Sequence, residues 1–186
     1  VNRCANALKR LGLTKGDRVT IYLPKVPEQI VAMLACARIG VIHSVVYSGF
    51  SAPALASRIQ DAEAKLVITA DVGFDRGKVL DLKAVVDQAV ANSPTVDRVV
   101  VLRRQAPGVA LSAPKEIDWH DWLKDEKAVC EAEHLDAEHP LYILYTSGTT
   151  GKPKGVVHVH GGYMVGTYIT TKYVFDLKDN DVYFCV

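Results

Sequence analysis

The stretch PLYILYTSGTTGKPKGVVHVH, from Pro140 to His160, joins two apolar runs through a segment of small, hydroxyl-bearing and basic residues. The flanking runs PLYILY and GVVHVH have the composition of β-strands. The segment between them, from Thr146 to Lys154, is too long for a two-residue hairpin turn. Small residues let backbone N–H groups approach an anion, hydroxyls donate to phosphate oxygens, and lysines supply positive charge. The stretch therefore predicts a strand–phosphate loop–strand unit.

Two other interpretations of this stretch are a plain turn and the Walker A loop of P-loop NTPases. A Walker A loop has the spacing GxxxxGK, followed by Ser or Thr and by a helix. Here Gly148 and Gly151 are three residues apart, and Lys152 is followed by Pro153. Proline lacks an N–H group and disfavours a helical conformation of the residue before it. The sequence disfavours a P-loop NTPase, while a plain turn stays open at this point.

Strand and helix patterns alternate through the first hundred residues. Four β-branched or apolar runs have the length and composition of strands, and helical patterns separate them. Parallel strands need such connections, and near-continuous apolar strands are typical of sheets covered on both faces. The pattern predicts an α/β fold with a mostly parallel sheet and helices on both faces. The strand runs are RVTIYLP (18–24), VIHSVVY (41–47), KLVITA (65–70) and DRVVVLR (97–103).

The chain divides into three predicted stretches. Residues 1–103 form the α/β sheet layer, residues 104–140 a loop and linker, and residues 141–186 the phosphate-loop unit with the start of a next layer. Within the first stretch, an amphipathic helix is predicted over 78–92. The first residues already have a helical pattern and the last ones have a strand pattern, and apolar segments are usually covered before a chain ends. We therefore expect an incomplete piece of a larger domain.

The charge and cysteine content exclude several classes of protein. The 186 residues include 22 basic and 21 acidic residues, for a net charge of +1. This balance gives no electrostatic footprint for nucleic acid or for an anionic membrane, so neither partner is expected. The four cysteines form no CxxC pair. That pattern argues against a disulfide framework or a zinc site and is typical of a reducing cytosol, so we expect a cytoplasmic protein.

The segment YTSGTTGKPKG (145–155) resembles the signature loop of the adenylate-forming enzymes. The segments VYSGFSAPALASRIQDAEAKLVITAD (46–71) and GGYMVGTYITTKYVFDLKDNDVYFC (161–185) are similar to AMP-forming acetyl-CoA synthetases. The resemblance covers the whole chain and implies a piece of the large N-terminal AMP-binding domain. It implies ligands of the full enzyme, namely ATP with Mg²⁺, CoA, and acetate or another short-chain carboxylate. The alternatives are a propionyl-CoA or other short-chain acyl-CoA synthetase, and a nucleotide-binding module without ligase activity.

The resemblance also implies which residues contact ATP. In this family a carboxylate attacks the α-phosphate, and charge develops on the departing pyrophosphate. A loop rich in donors and cations can stabilise that charge. Lys152 is the expected catalytic residue, and the 186-residue chain by itself is expected to be inactive. The residues expected around the phosphates are Thr146, Ser147, Gly148, Thr149, Thr150, Gly151, Lys152, Lys154 and Gly155.

A second segment corresponds to a turn of Arg-Gly-Gly-Arg/Lys type that contacts the CoA nucleotide in acetyl-CoA synthetases. The matching residues are Asp75, Arg76, Gly77 and Lys78. Lys78 is expected to meet a phosphate at the start of the predicted helix. Asp75 reverses the charge of the arginine that the family often has there, which puts the contact in doubt. A solvated turn is the alternative.

Two further patterns are weaker. His158 and His160 share one face of a predicted strand, but a zinc site needs more ligands and no third one is evident, so no metal site is predicted. Tyr163, Tyr168 and Tyr173 recur every five residues, which is neither a helical stripe nor a stacking pattern. We expect them to take part in core and interface packing.

Overall fold

A computed structural model of the chain describes residues 1–75, 77–105, 108–112, 114–146 and 153–184. Nine strands lie within these ranges. They are β1 Arg18–Tyr22, β2 Ile42–Val45, β3 Leu66–Ala70, β4 Val72–Asp75, β5 Lys78–Asp81, β6 Arg98–Leu102, β7 Glu116–Asp118, β8 Pro140–Thr146 and β9 Lys154–Val159.

Seven of these strands form one sheet in the order β7-β6-β3-β1-β2-β8-β9. All neighbouring strands are parallel except β8 and β9, which pair antiparallel at one edge. The remaining strands, β4 and β5, pair with each other as a hairpin. The predicted mostly parallel sheet is confirmed, and strands from all three predicted stretches of the chain belong to it.

Helices cover both faces of the sheet, as predicted. The chain steps from β1 to its neighbour β2 and then back past β1 to β3, so right-handed crossovers place the two connecting helices on opposite faces. The helices are α1 Asn2–Arg10, α2 Pro27–Arg38, α3 Ala52–Asp61, α4 Leu82–Ala91, α5 Trp119–Leu123 and α6 His160–Ile169, which continues as a π-helical turn Thr170–Val174. On one face α1 packs against α2 and α5, and on the other α3 packs against α4.

The core lies around the central strands. The side chains of β3 are buried along its whole length, and those of β1 from Val19 onward. Trp119 and Trp122 are also buried, with ring centroids 5.6 Å apart, and they close the core beside α1. Burial raises the pKa of the Cys4 thiol to about 12, so this core cysteine stays protonated.

The prediction of a helix over 78–92 places the start of the helix too early. Lys78–Asp81 forms β5 of the hairpin, and α4 begins only at Leu82. The carboxylate of Asp81 caps this helix by accepting a hydrogen bond from the backbone N–H of Ala84 at 2.9 Å. The apolar residues of β5 fit the periodicity of the following helix, and for that reason the pattern extended the helix too far.

Apolar side chains are exposed around α6 and the segment that follows it. Tyr163, Tyr168 and Tyr173 are 42%, 61% and 70% exposed, so the prediction of core packing is wrong for all three. The ammonium group of Lys172 lies 5.4 Å from the ring centroids of Tyr168 and Tyr173. Their part in an interface stays a prediction. No helix within the described ranges is both long and apolar enough to cross a bilayer.

Candidate functional site

The two ends of the glycine-rich segment lie side by side in the structure. The chain leaves β8 at Thr146 and returns at Lys154, and the antiparallel register places these residues opposite each other. The next pair in the register is Tyr145 and Gly155. Thr146, Lys154 and Gly155 are exposed, while residues 147–152, including Lys152, lie outside the described residues. The structure therefore places three of the nine candidate phosphate ligands, and all three lie where the strands β8 and β9 meet the glycine-rich segment.

A strand, not a helix, follows the glycine-rich segment. From Lys154 the chain continues as β9 for six residues before α6 begins at His160. A Walker A loop opens directly into a helix. The structure thus agrees with the sequence in disfavouring a P-loop NTPase.

Tyr145, the last residue before Thr146, is anchored to α3. Its hydroxyl donates a hydrogen bond of 2.6 Å to Oδ2 of Asp61. Burial, together with the carboxylate of Asp61, raises the pKa of Tyr145, so the hydroxyl stays a donor. A Cβ atom at Gly155 would lie 3.1 Å from Cγ2 of Ile143 and 3.2 Å from Cε1 of Tyr145. Gly155, predicted as a phosphate contact, therefore has a packing role, because it leaves space for the ring.

A buried arginine supports the same ring. Arg58 of α3 is only 8% exposed. Its guanidinium carbon lies 4.5 Å from the ring centroid of Phe50 and 5.6 Å from that of Tyr145. It also donates to the carbonyl of Ala54 at 2.6 Å. Sequence reasoning missed Arg58, Asp61 and Tyr145 as a group, because no local pattern connects residues of α3 with the end of β8.

The candidate CoA turn is the tip of the β4–β5 hairpin. The register pairs Asp75 with Lys78, and both are exposed. Gly77 has φ +78°, a left-handed conformation that favours glycine. Arg76 lies outside the described residues. Because Lys78 is in a strand, the expectation that it meets a phosphate at a helix N-terminus is wrong.

A buried carboxylate fixes the base of this hairpin. Asp71, at the end of β3, is 1% exposed. Its Oδ1 accepts hydrogen bonds from the backbone N–H groups of Val72 at 2.7 Å and Arg104 at 2.8 Å, and its Oδ2 accepts one from Gln105 at 3.2 Å. The guanidinium carbon of Arg104 in turn lies 5.1 Å from the ring centroid of Phe74. The hairpin is therefore held at its base, although its tip is exposed.

The structure keeps the two candidate sites apart. The hairpin follows β3, whereas the glycine-rich segment follows β8, and β1 and β2 lie between these strands. Three inter-strand spacings amount to about 14 Å. The two candidate sites therefore follow strands that are not neighbours in the sheet.

The histidines predicted to share one strand face belong to different elements. His158 of β9 stacks on Tyr142, with ring centroids 4.5 Å apart, while His160 begins α6 with its ring 5.8 Å from that of His139. No group of three or more His, Cys, Asp or Glu side chains in the described part of the chain is arranged to hold a metal ion.

A largely apolar cavity of about 210 Å³ lies beside these rings, between α2, β8 and α6. His43 of β2 lines it and is 4% exposed. Its Nδ1 atom is buried and has no hydrogen-bond partner among the described residues. Burial, assisted by His160, lowers the pKa of His43 to about 4. His43 is therefore a neutral core residue near pH 7.

Comparison with known proteins identifies the family. The model of the family "AMP-binding enzyme" matches residues 1–186. This chain belongs to the AMP-binding enzyme family. The chain is 56% identical over 185 residues to acetyl-coenzyme A synthetase of Methanothrix thermoacetophila, and 56% identical over 186 residues to that of Streptomyces avermitilis. Both alignments cover 100% of this chain and 28% of the relative.

The fold of this family member also matches a solved relative. Acetoacetyl-CoA synthetase from Streptomyces lividans superimposes with a TM-score of 0.87 at 30% sequence identity, over 97% of this chain and 27% of that one. The chain thus corresponds to slightly more than a quarter of such enzymes. The predicted resemblance to acetyl-CoA synthetases and the fold class are confirmed.

Proposed function

We propose that this chain supplies the central sheet and the triphosphate-binding loop of an AMP-forming acetate–CoA ligase. The observation that carries this proposal is the hairpin of β8 and β9. It brings Thr146 and Lys154 together at the two ends of a segment rich in glycine, hydroxyls and lysine. Identity of 56% to proteins named acetyl-coenzyme A synthetase supports acetate as the acid.

The proposed reaction has two steps. An oxygen of acetate attacks the α-phosphorus of ATP, the bond to the bridging oxygen of the β-phosphate breaks, and acetyl-adenylate and pyrophosphate form. The thiol of CoA then displaces AMP and gives acetyl-CoA. The first step leaves new negative charge on pyrophosphate, which preorganised donors and cations stabilise. ATP enters with Mg²⁺ as its substrate complex.

The loop residues have two roles in the first step. Backbone N–H groups and hydroxyls hold the triphosphate in line with the attacking oxygen, and Lys152 and Lys154 supply charge where it develops. Lys152 is the proposed catalytic residue. The proposed ATP contacts are Thr146, Ser147, Gly148, Thr149, Thr150, Gly151, Lys152, Lys154 and Gly155.

The β4–β5 hairpin is the proposed contact for the CoA nucleotide. Its turn has the sequence Asp75-Arg76-Gly77-Lys78, and the hairpin follows β3, which lies about 14 Å across the sheet from β8, the strand that leads into the phosphate loop. CoA is long enough for its nucleotide to lie at one site while its thiol reaches the other. The carboxylate of Asp75 opposes this contact, and the two basic residues favour it.

Another short-chain acid is the second candidate substrate. The solved relative from Streptomyces lividans is named acetoacetyl-CoA synthetase and has the same fold over 97% of this chain. That likeness favours an acid–thiol ligase acting on a short acyl group as the broader class. A cytoplasmic location is part of the proposal, since the three cysteines among the described residues are free, which is typical of a reducing compartment.

A segment exchange tests the proposal. The matching segment of the Methanothrix thermoacetophila enzyme is replaced with this chain, giving a protein called here the chimeric synthetase. Acetate-dependent exchange between pyrophosphate and ATP is then measured, with propionate and acetoacetate as competing acids. We expect exchange that depends on acetate, and none above a buffer control from the 186 residues alone. A folded chimeric synthetase that binds ATP but shows no acid-dependent exchange contradicts ligase activity.

A further inference from the structure

A tertiary contact fixes the strand that leads into the glycine-rich segment. Tyr145 lies one residue before Thr146, and its hydroxyl donates to Asp61 at 2.6 Å. Asp61 is the last residue of α3, where the helix dipole disfavours a carboxylate. A short hydrogen bond from a neutral donor offsets that cost and joins β8 to α3 across 84 residues of sequence.

The ring of Tyr145 is held from two sides as well as at its hydroxyl. Arg58 places its guanidinium over the ring, and the same group covers Phe50 in the loop after β2. On the neighbouring strand, Gly155 leaves the space that the ring occupies. Cation–π contacts of this kind gain strength when the cation is removed from water, and Arg58 is buried.

These contacts act on both ends of the segment. Tyr145 pairs with Gly155, and the adjacent pair is Thr146 with Lys154. Because the two strands are hydrogen-bonded to each other, a shift of the Tyr145 ring moves Thr146 and Lys154 together. The anchor therefore sets where the segment begins and ends relative to the rest of the sheet.

We propose that Tyr145, Asp61 and Arg58 are positioning residues for adenylate formation. This inference rests on the proposed function, since it assigns them the task of holding the ends of the phosphate loop in line for attack at the α-phosphate. A misplacement of about 1 Å can slow a reaction by roughly 100-fold without removing any reacting group. Tyr145 touches neither phosphate nor acetate in this proposal, and it acts through Thr146 and Lys154.

The first arm of the test uses the chimeric synthetase. Tyr145→Phe removes only the hydroxyl, Asp61→Ala removes the acceptor, and Asp61→Asn retains an acceptor oxygen. Tyr173→Phe removes a hydroxyl from an exposed tyrosine and is the matched control. We expect Tyr145→Phe and Asp61→Ala to slow adenylate formation by about 10- to 100-fold, with a much smaller change in KM for ATP.

The same arm separates positioning from a general loss of structure. Thioester formation from added acetyl-adenylate should keep its rate in both slow variants, and Asp61→Asn should recover most of the adenylation rate. The double variant Tyr145→Phe/Asp61→Ala should be no slower than the worse single variant, because both changes break one contact. Equal slowing of both half-reactions, or additive effects, would overturn the proposal.

The second arm does not depend on ligase activity. Hydrogen exchange of the backbone amides of β8 and β9 is followed in the 186-residue chain by NMR or mass spectrometry. We expect faster exchange at the end of β8 and the start of β9 in Tyr145→Phe, and wild-type rates in Tyr173→Phe. Unchanged exchange in Tyr145→Phe overturns the positioning role. A chimeric synthetase that is inactive with the wild-type segment counts against the ligase function. Hydrogen exchange still tests, in that case, whether the contact between Tyr145 and Asp61 holds the ends of β8 and β9 in place.

Discussion

The neutral His43 makes the stability of this domain depend on pH. Its pKa is lowered to about 4 in the folded chain, chiefly by burial and then by the charge of His160. In the unfolded chain the imidazole has its ordinary pKa of about 6.5. Between these two values the unfolded state binds a proton that the folded state does not, so the free energy of unfolding falls as the pH falls.

The size of this effect follows from the two pKa values. Each pH unit within the window costs about 1.4 kcal/mol. Lowering the pH from 7.5 to 5 covers the upper part of this window, from about pH 6.5 to pH 5, which is about one and a half units. Protonation of His43 should therefore reduce the free energy of unfolding by about 2 kcal/mol. His160, whose pKa is also lowered, first by burial and then by His139, adds a loss of the same sign.

Urea unfolding of the 186-residue chain at pH 7.5 and pH 5 measures this difference. His43→Gln should lose most of the pH dependence, and the remaining slope belongs to His160 and the carboxylates. His120→Gln, at an exposed position, is the matched control and should retain the wild-type slope. If His43→Gln and the wild-type chain lose equal stability between the two pH values, the buried neutral imidazole is not the cause.

Three further predictions concern the supports of the two sites. Asp71→Ala leaves backbone N–H groups without their acceptor and should lower the free energy of unfolding, measured with urea, by about 3 kcal/mol. Asp71→Asn keeps an acceptor oxygen and should lose less, so equal losses in the two variants would contradict this role of Asp71. Gly155→Ala crowds the ring of Tyr145 and should cost about 1–3 kcal/mol. Gly166→Ala in α6, with open space around it, should not destabilise, and equal effects would refute the packing role. Asp75→Arg in the chimeric synthetase should lower KM for CoA about fivefold and leave adenylation unchanged. An unchanged KM would mean that the turn does not contact CoA.

The sheet could be predicted from the sequence because its strands have strong local signals. The β-branched run of β3 and the apolar run of β1 are bounded by turn residues, and the structure has strands at both. The strand–loop–strand unit was predicted for the same reason and is confirmed at both of its strands. By contrast, β7 has three residues and pairs with β6 at the sheet edge. So short a strand has no periodicity to detect.

The hairpin of β4 and β5 was missed because two patterns overlap there. The apolar residues Val79 and Leu80 fit both a strand and the helix that follows, and Asp81 is the only local sign of the true helix start. The anchor of Tyr145 could not be predicted at all. Its partner Asp61 is 84 residues away, and such a contact has no signature in the sequence of either element.

The central claim is that the segment between β8 and β9 stabilises the pyrophosphate leaving group. Lys152→Ala in the chimeric synthetase tests it most directly, with the two half-reactions followed separately in pre-steady-state assays. Adenylate formation should slow by roughly 100-fold, because the charge to be met develops in the transition state, while ATP binding weakens less. Thioester formation from added acetyl-adenylate should be nearly unaffected. Equal slowing of both half-reactions would mean that the segment is structural, and the phosphate-binding function would be contradicted.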